Sequence, residues 1–380
     1  MAATLDHFQI LGQEATINAW HTLLQSGRFG HAHILNGAAG VGKDALAIYI
    51  AASLNCQNPS PGACGICPSC NKMLNLEHPL LHLVHKLPRR SASQTDPLAG
   101  IKDKEMEAIT AELSRKARWP YHRLQIEAAN DIRIASIRQL RKDIYLANDP
   151  GSTRVVIILR AHRLNIEAAN ALLKILEEPP PSTIFLLTTE YADRLPDTIR
   201  SRCAVHHVPE LGWQLIRDHL MEKKNLDGTQ AEICSRMASG DLTTAYRYAE
   251  DDNSIWLNRV RATLNSLASK DYASIHKQVQ VLCDKELEND ESRQHYLSLL
   301  ILLFRDVAIA APDPETSLWS TQLQQIHKLF PDCNSAGAIQ AIEQTKDALR
   351  RKVHLQLALT ALFFELRKHL RGMVPVQVND

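Results

Sequence analysis

The sequence predicts an α/β fold built on a parallel sheet over its first 210 residues, followed by an all-α continuation. Three observations carry this. Short β-branched runs alternate with helical apolar spacing as far as Pro209, a glycine-rich turn (Gly37 to Lys43) stands where the first run meets the first helical pattern, and strand signals stop after Pro209. At 380 residues the chain exceeds what one hydrophobic core usually organises, so two or three domains are expected.

In chain order, the strand candidates are His33 to Asn36, Leu81 to His85, Arg154 to Leu159, Thr183 to Thr188 and Ala204 to Val208. Helical spacing falls between them at Lys43 to Leu54, Ile134 to Leu146 and Ile166 to Glu178. The stretch Lys86 to Asp131 combines a loop-like run (Pro88, Arg89, Arg90, Ser91, Ser93) with one amphipathic face (Met106, Ile109, Leu113), which reads most simply as a surface insertion. Beyond Pro209, Trp213 to Lys223, Thr229 to Ser239 and Leu242 to Ala249 read as a three-helix unit, and Ser254 to Leu370 stays helical. The expected domains are therefore 1–209 (α/β), 210–252 (three helices) and 253–373 (helical), with a tail at 374–380.

Lys and Arg number 43 against 42 Asp and Glu, a formal net charge of +1. Composition thus gives no global electrostatic case for nucleic-acid or membrane binding, and any DNA contact has to be local or shared. The start, Met1 to Ile10, contains Asp6 and no basic, apolar leader. No apolar run approaches the roughly 18 residues of a membrane span, so a cytoplasmic protein without membrane contact is expected. The 17 histidines show no H-E-x-x-H spacing, which leaves a catalytic metal site unsupported.

Four of the eight cysteines crowd into one stretch, Cys56, Cys64, Cys67 and Cys70. Thiolates two residues apart can bite one ion from a tight turn, and the fourth closes a tetrahedron, the arrangement zinc prefers. An iron-sulfur cluster is the rival, but the ferredoxin-type cysteine three residues after Cys70, with proline behind it, is missing. Pro59, Pro61, Gly62, Gly65 and Pro68 supply the turns of a metal knuckle over about residues 55–72. Four thiolates leave no open coordination position, so the zinc is expected to be structural.

The run Gly37-Ala38-Ala39-Gly40-Val41-Gly42-Lys43-Asp44 is nearly a P-loop, in which glycines let backbone N–H groups wrap phosphates and the lysine neutralises them. Where a working loop has a Ser or Thr hydroxyl for magnesium, this chain has Asp44. A carboxylate there caps the helix N-terminus itself and competes with phosphate. At about 4 Å and an effective dielectric near 20, two unit charges repel by roughly 4 kcal/mol, several hundredfold or more in affinity unless magnesium intervenes. The strand that would carry the acidic pair of a P-loop ATPase ends Ile157-Ile158-Leu159-Arg160, and neither Leu159 nor Arg160 can hold magnesium or orient water.

Together with the P-loop and the four cysteines, the run Asn170-Ala171-Leu172-Leu173-Lys174-Ile175-Leu176-Glu177-Glu178-Pro179-Pro180 and the triplet Ser201-Arg202-Cys203 resemble the AAA+ subunits of bacterial DNA polymerase III clamp loaders. The resemblance covers the first 210 residues well, while the C-terminal region matches only in being helical. Within that family the degraded P-loop sides with the delta-prime type against the gamma/tau motors. At Gly240-Asp241-Leu242-Thr243-Thr244 a threonine stands where the family's second sensor has arginine.

Taken alone, Arg202 is an ordinary surface arginine or the partner of a local carboxylate. The resemblance implies more: an arginine finger entering the ATP site of a neighbouring motor subunit, in a five-subunit ring with gamma/tau and delta held by a helical collar. ATP would then be bound by the neighbours, weakly or not at all here, and the ring would place a sliding clamp on primer-template DNA. Two competitors remain: an active motor ATPase using Asp44 as magnesium ligand, and a pure scaffold with an idle arginine. The helix Ile166 to Glu178 is read as core packing, and its charges Lys174, Glu177 and Glu178 as solvated.

Overall fold

The computed structural model describes residues 7–27, 29–59, 62–89, 96–145, 152–250, 253–269, 271–287, 290–308 and 330–370. Pro61 of the cysteine turns, Arg90, Ser91 and Ser93 of the expected loop, Leu146 and the tail 374–380 lie outside the described residues, as do the first six residues and part of the expected C-terminal helical region. Residues group into two compact units, Met1–Ile216 with Gly240–Thr244, and Arg217–Ser239 with Ala245–Asp380.

The first unit is a five-stranded, all-parallel sheet in the order β2-β3-β4-β1-β5, formed by β1 (Ala32–Asn36), β2 (Leu81–Val84), β3 (Arg154–Ile158), β4 (Thr183–Thr189) and β5 (Ala204–His207). Each strand lies within a residue or two of its sequence-predicted bounds, because both faces of the central strands are covered and their sequences are near-continuous apolar runs. In β3 every residue is buried. Its neighbours in the core are Ile137, Leu140 and Ile144 of α5 (Ile134–Ile144) and Ala168, Leu172, Ile175 and Leu176 of α6 (Ile166–Glu177), whose N-terminus is capped by the Asn165 side chain accepting from the Ala168 N–H.

The helix α2 (Lys43–Leu54) follows β1 directly and is buried from Ala45 through Ala52, so it runs through the interior and not along a surface. Three helices were not foreseen, α1 (Glu14–Gln25), the short α3 (Pro68–Leu74) within the cysteine stretch and a single turn at Asp197–Arg200. The expected amphipathic face falls on α4 (Asp103–Arg118). That segment is not a surface insertion, however: Ile109, Glu112 and Lys116 are buried, and Ile109 joins Ile126 and Ala129 in a satellite core. The correction has a physical cause, since the helix carries a lysine inward to a carboxylate.

The second unit is helical among its described residues. It comprises most of α8 (Trp213–Lys224), α9 (Gly228–Met237), α10 (Leu242–Glu250) from Ala245 on, α11 (Asn253–Ala268), α12 (Tyr272–Val281), α13 (Asp290–Ala308), α14 (Ser335–Arg350) and α15 (Leu355–Leu370), the four-residue α7 (Asp197–Arg200) belonging to the first unit. Its core is built on Tyr296, Phe304 and Phe363, and the buried Tyr296 hydroxyl is satisfied by Thr263 Oγ1 at 2.7 Å.

Candidate functional site

The glycine-rich turn sits at the C-terminal end of β1, where parallel sheets usually bind ligands. It is stitched in place by Gln13, only 1% exposed, whose Nε2 donates to the carbonyls of Val41 (3.1 Å) and Pro209 (3.0 Å). Gly40 and Gly42 both take left-handed φ angles, +67° and +96°. The spaces a Cβ would need are already filled, at Gly42 by the Tyr121 hydroxyl and at Gly40 by the Asp241 carboxylate.

The two charged residues of the turn are engaged with the protein itself. Lys43 is 8% exposed, and its ammonium donates to the carbonyls of Gly37 (3.0 Å) and Ala38 (2.5 Å). Asp44 does not cap α2, whose N-cap Gly42 makes no side-chain capping bond. Its Oδ2 instead meets the Lys116 ammonium at 2.5 Å. Lys116, 2% exposed, also donates to the carbonyls of Pro120 (2.5 Å) and His122 (2.9 Å). Burial alone would raise the Asp44 carboxyl, but the Lys116 and Lys43 ammonium groups and the Thr188 hydroxyl hold it below the ordinary aspartate value.

The segment Gly240–Thr244 closes over the turn. Leu242 N–H donates to the Gly40 carbonyl at 3.3 Å, and Thr243 Oγ1 donates to the Tyr121 carbonyl at 3.1 Å. The Asp241 carboxylate accepts from Thr244 N–H (3.2 Å) and Thr244 Oγ1 (2.8 Å) and pairs with the Arg123 guanidinium. Sequence reasoning placed a lost sensor in this segment but missed the roles of Asp241, Arg123 and Lys116. The only signal for Lys116 was its place on the Ile109–Leu113 stripe of α4, and a Glu112–Lys116 spacing reads as an ordinary surface pair. In the fold Glu112 turns to Arg115 (2.5 Å), His122 (2.9 Å) and the Gln125 N–H (2.5 Å).

Lining the same cavity as the turn, Leu159 and Arg160 follow the end of β3, and neither side chain offers an oxygen to a metal. Arg160 has φ +53°, its N–H donates to Thr188 Oγ1 at 3.1 Å, and its Nε lies 3.7 Å from Glu190 Oε1. Gly40, Gly42, Lys43, Asp44, Arg160 and Glu190 line one cavity. Arg202 is not among that cavity's described lining residues. It follows α7, is 37% exposed, pairs with Glu177 Oε1 at 2.8 Å, and donates to the Thr198 carbonyl at 3.0 Å.

The four predicted cysteine ligands do converge. The Sγ atoms of Cys56, Cys64, Cys67 and Cys70 all lie within 4.8 Å of one another. Backbone N–H groups point at the sulfurs: Cys64 to Cys56 (3.3 Å), Cys67 to Cys64 (3.4 Å) and Cys70 to Cys67 (3.4 Å). Burial pushes the Cys67 thiol up, but N–H donors from Cys70 and Gln57 and the neighbouring sulfurs bring it down to about 6. This donor set fits a soft or borderline cation in a closed tetrahedral site. Cys203, Cys234, Cys283 and Cys333 are free thiols elsewhere in the chain.

A glycine-rich turn at the end of a parallel-sheet strand and four converging cysteine sulfurs mark the first unit, and comparison with known proteins gives the family. The family described as "DNA polymerase III, delta subunit" matches residues 12–212, more than half of the chain, and this protein belongs to it. The chain is similar to DNA polymerase III subunit tau of Salmonella typhimurium, 27% identical over 269 residues, covering 68% of this chain and 35% of that protein. It is also similar to DNA polymerase III subunit delta' of Pseudomonas aeruginosa, 32% identical over 191 residues, covering 50% of this chain and 46% of that one. The chain thus spans between about a third and a half of the length of these curated relatives. Among solved structures, a DNA polymerase III gamma subunit-related protein of Thermotoga maritima is 14% identical, covering 93% of this chain and 99% of its own, with a TM-score of 0.39. No helix among the described residues is long and apolar enough to cross a membrane.

Proposed function

We propose that this chain is a delta-prime-type subunit of a bacterial clamp loader of the AAA+ class, inactive at its own P-loop, that lends Arg202 to the ATP site of a neighbouring gamma/tau subunit. The observation that carries the inactive reading is the filling of the phosphate cradle by the chain's own side chains. Asp241 lies against Gly40, Lys43 is bonded to the carbonyls of Gly37 and Ala38, and Asp44 is paired with Lys116. Arg160 in place of an acid removes the group that would orient water.

For Arg202 the support is exposure and a weak tether. A surface pair such as Arg202–Glu177 contributes about 0–1 kcal/mol, so a phosphoryl group in a neighbour's site readily replaces the carboxylate. The same pair is what favours the second reading, a scaffold whose arginine stays at home. Zinc at Cys56, Cys64, Cys67 and Cys70 would be structural. Residues 210–252 and 253–373 would form the lid and the collar that holds the ring with the delta subunit, acting in the cytoplasm. Contact with the sliding clamp and primer-template DNA would run through the assembly and through backbone phosphates.

The test is the clamp- and DNA-stimulated ATPase of the reconstituted loader, carrying this chain or its Arg202→Ala variant at equal assembly. A fall of about 10³-fold is expected at the site Arg202 serves. An unchanged rate leaves the scaffold, and ATP turnover by the isolated chain overturns the inactive reading.

A further inference from the structure

The strand that lost its acid carries an excess of positive charge with no use in the reading above. β2 and β3 are parallel neighbours in the register Val84 to Ile158, so Lys86 and Arg160, two residues further along each chain, leave the sheet side by side. The 3₁₀ turn Ala161–Arg163 that follows brings Arg163 to the same place. All three line the cavity beside the glycine-rich turn. Like charges on adjacent strands repel, and a fold keeps them together only where something of opposite sign compensates.

The protein's own compensation is incomplete. Of the carboxylates in and beside the cavity, Asp44 is taken by Lys116 and Asp241 by Arg123, which leaves Glu190, 3.7 Å from Arg160 Nε. That Nε is buried without a hydrogen-bond acceptor. Among the described residues neither Lys86 nor Arg163 has an ion-pair partner. Burial, then Arg160 and Arg163, lower the Lys86 pKa, as expected of an ammonium short of anions.

We propose that Lys86, Arg160 and Arg163 form a binding site for a small, multiply charged phosphate-type oxyanion, taken up without a divalent cation. The planar guanidinium fork of arginine matches two phosphoryl oxygens at once, and the ammonium supplies a point charge from the neighbouring strand. In a metal-dependent phosphate site a cation is held by carboxylates at the strand end. Here Arg160 occupies that strand end and supplies the positive charge itself, and the three cations together repel magnesium. The site is separate from Arg202 and from the role proposed for it, so either proposal can fail alone.

The experiment is isothermal titration of the full chain with pyrophosphate in EDTA, repeated in excess magnesium. Binding is expected in EDTA and no tighter in magnesium. The double variant Lys86→Ala/Arg163→Ala, which truncates one half-buried and one exposed side chain, is expected to bind about 10- to 100-fold more weakly with an unchanged circular dichroism spectrum. ATP titrated in EDTA separates the sources. Binding as tight as pyrophosphate supports the site as holder of a nucleotide's phosphate tail, and pyrophosphate binding alone supports a free oxyanion. No pyrophosphate binding in EDTA, binding that requires magnesium, or binding untouched by the double variant overturns the proposal. Should the variant misfold, the wild-type comparison between EDTA and magnesium still decides it.

Discussion

At the scale of single residues, the Lys116–Asp44 pair joins two positions 72 apart through a partly buried contact. Removing one partner of such a pair strands the other charge, whereas removing both is much cheaper. Because Asp44 remains 23% exposed, Lys116→Met is expected to cost about 2–3 kcal/mol in urea unfolding. The double variant Asp44→Asn/Lys116→Met should cost at least about 1 kcal/mol less than the sum of the singles.

One buried histidine, His33, and one half-buried histidine, His162, set a pH limit. The Gly30 carbonyl, 2.8 Å from His33 Nε2, can only accept, so the proton sits on Nε2 and Nδ1 accepts from His206 at 3.1 Å. Burial, with His206 and His31 adding to it, lowers His33 to about 4, and burial with Arg160 does the same for His162. Between about 6.5 and 4 the unfolded chain binds more protons than the folded one, so stability is full above that window and lost as pH falls through it. His33 is fully buried, and its share should approach about 3 kcal/mol. His33→Gln should flatten the stability–pH curve over that window in denaturant titrations. None of this was legible in the sequence, where a histidine in an apolar strand and a lysine near a glutamate on one helix have ordinary local explanations.

At the scale of elements, the cysteine stretch is where spacing and structure agree best. Turn residues and thiols one helical turn apart leave the chain few alternatives, and the added finding is α3, whose N-cap Cys67 accepts from the Cys70 N–H through its sulfur. A seven-residue helix does not stand alone in water. We expect one zinc per chain by elemental analysis, and loss of order in the 55–72 region on metal removal, followed by amide hydrogen exchange. Cys70→Ser should abolish tight metal retention. Helix α1 escaped notice for a reason now visible: its N-cap Gln13 makes no capping bond, because its amide is committed to Val41 and Pro209. The strands were legible because burial on both faces writes itself as runs of Val, Ile and Leu.

At the scale of the whole molecule, two compact units predict two unfolding transitions in calorimetry. Asp241→Ala removes the partner of Arg123 and two bonds to Thr244, and should cost about 1–2 kcal/mol in one transition while the other stays in place. The change from α/β to all-α near Pro209 was readable from periodicity. The inclusion of Gly240–Thr244 in the first unit was not, because a Gly-Asp turn leading into the first turn of a helix reads as part of that helix's own domain and nothing local states what it covers.

That inclusion bears on how the chain comes off the ribosome. Domains generally fold from the N-terminus as they are made. Here the sheet and its covering helices are complete by Ile216, yet the piece that closes over Gly40 is translated only after the stretch Arg217–Ser239 has been made. For that interval the nascent first unit exists with its glycine-rich turn uncovered and Arg123 without its carboxylate, a stage of synthesis at which a passing phosphate compound meets the turn in a form the finished protein no longer presents.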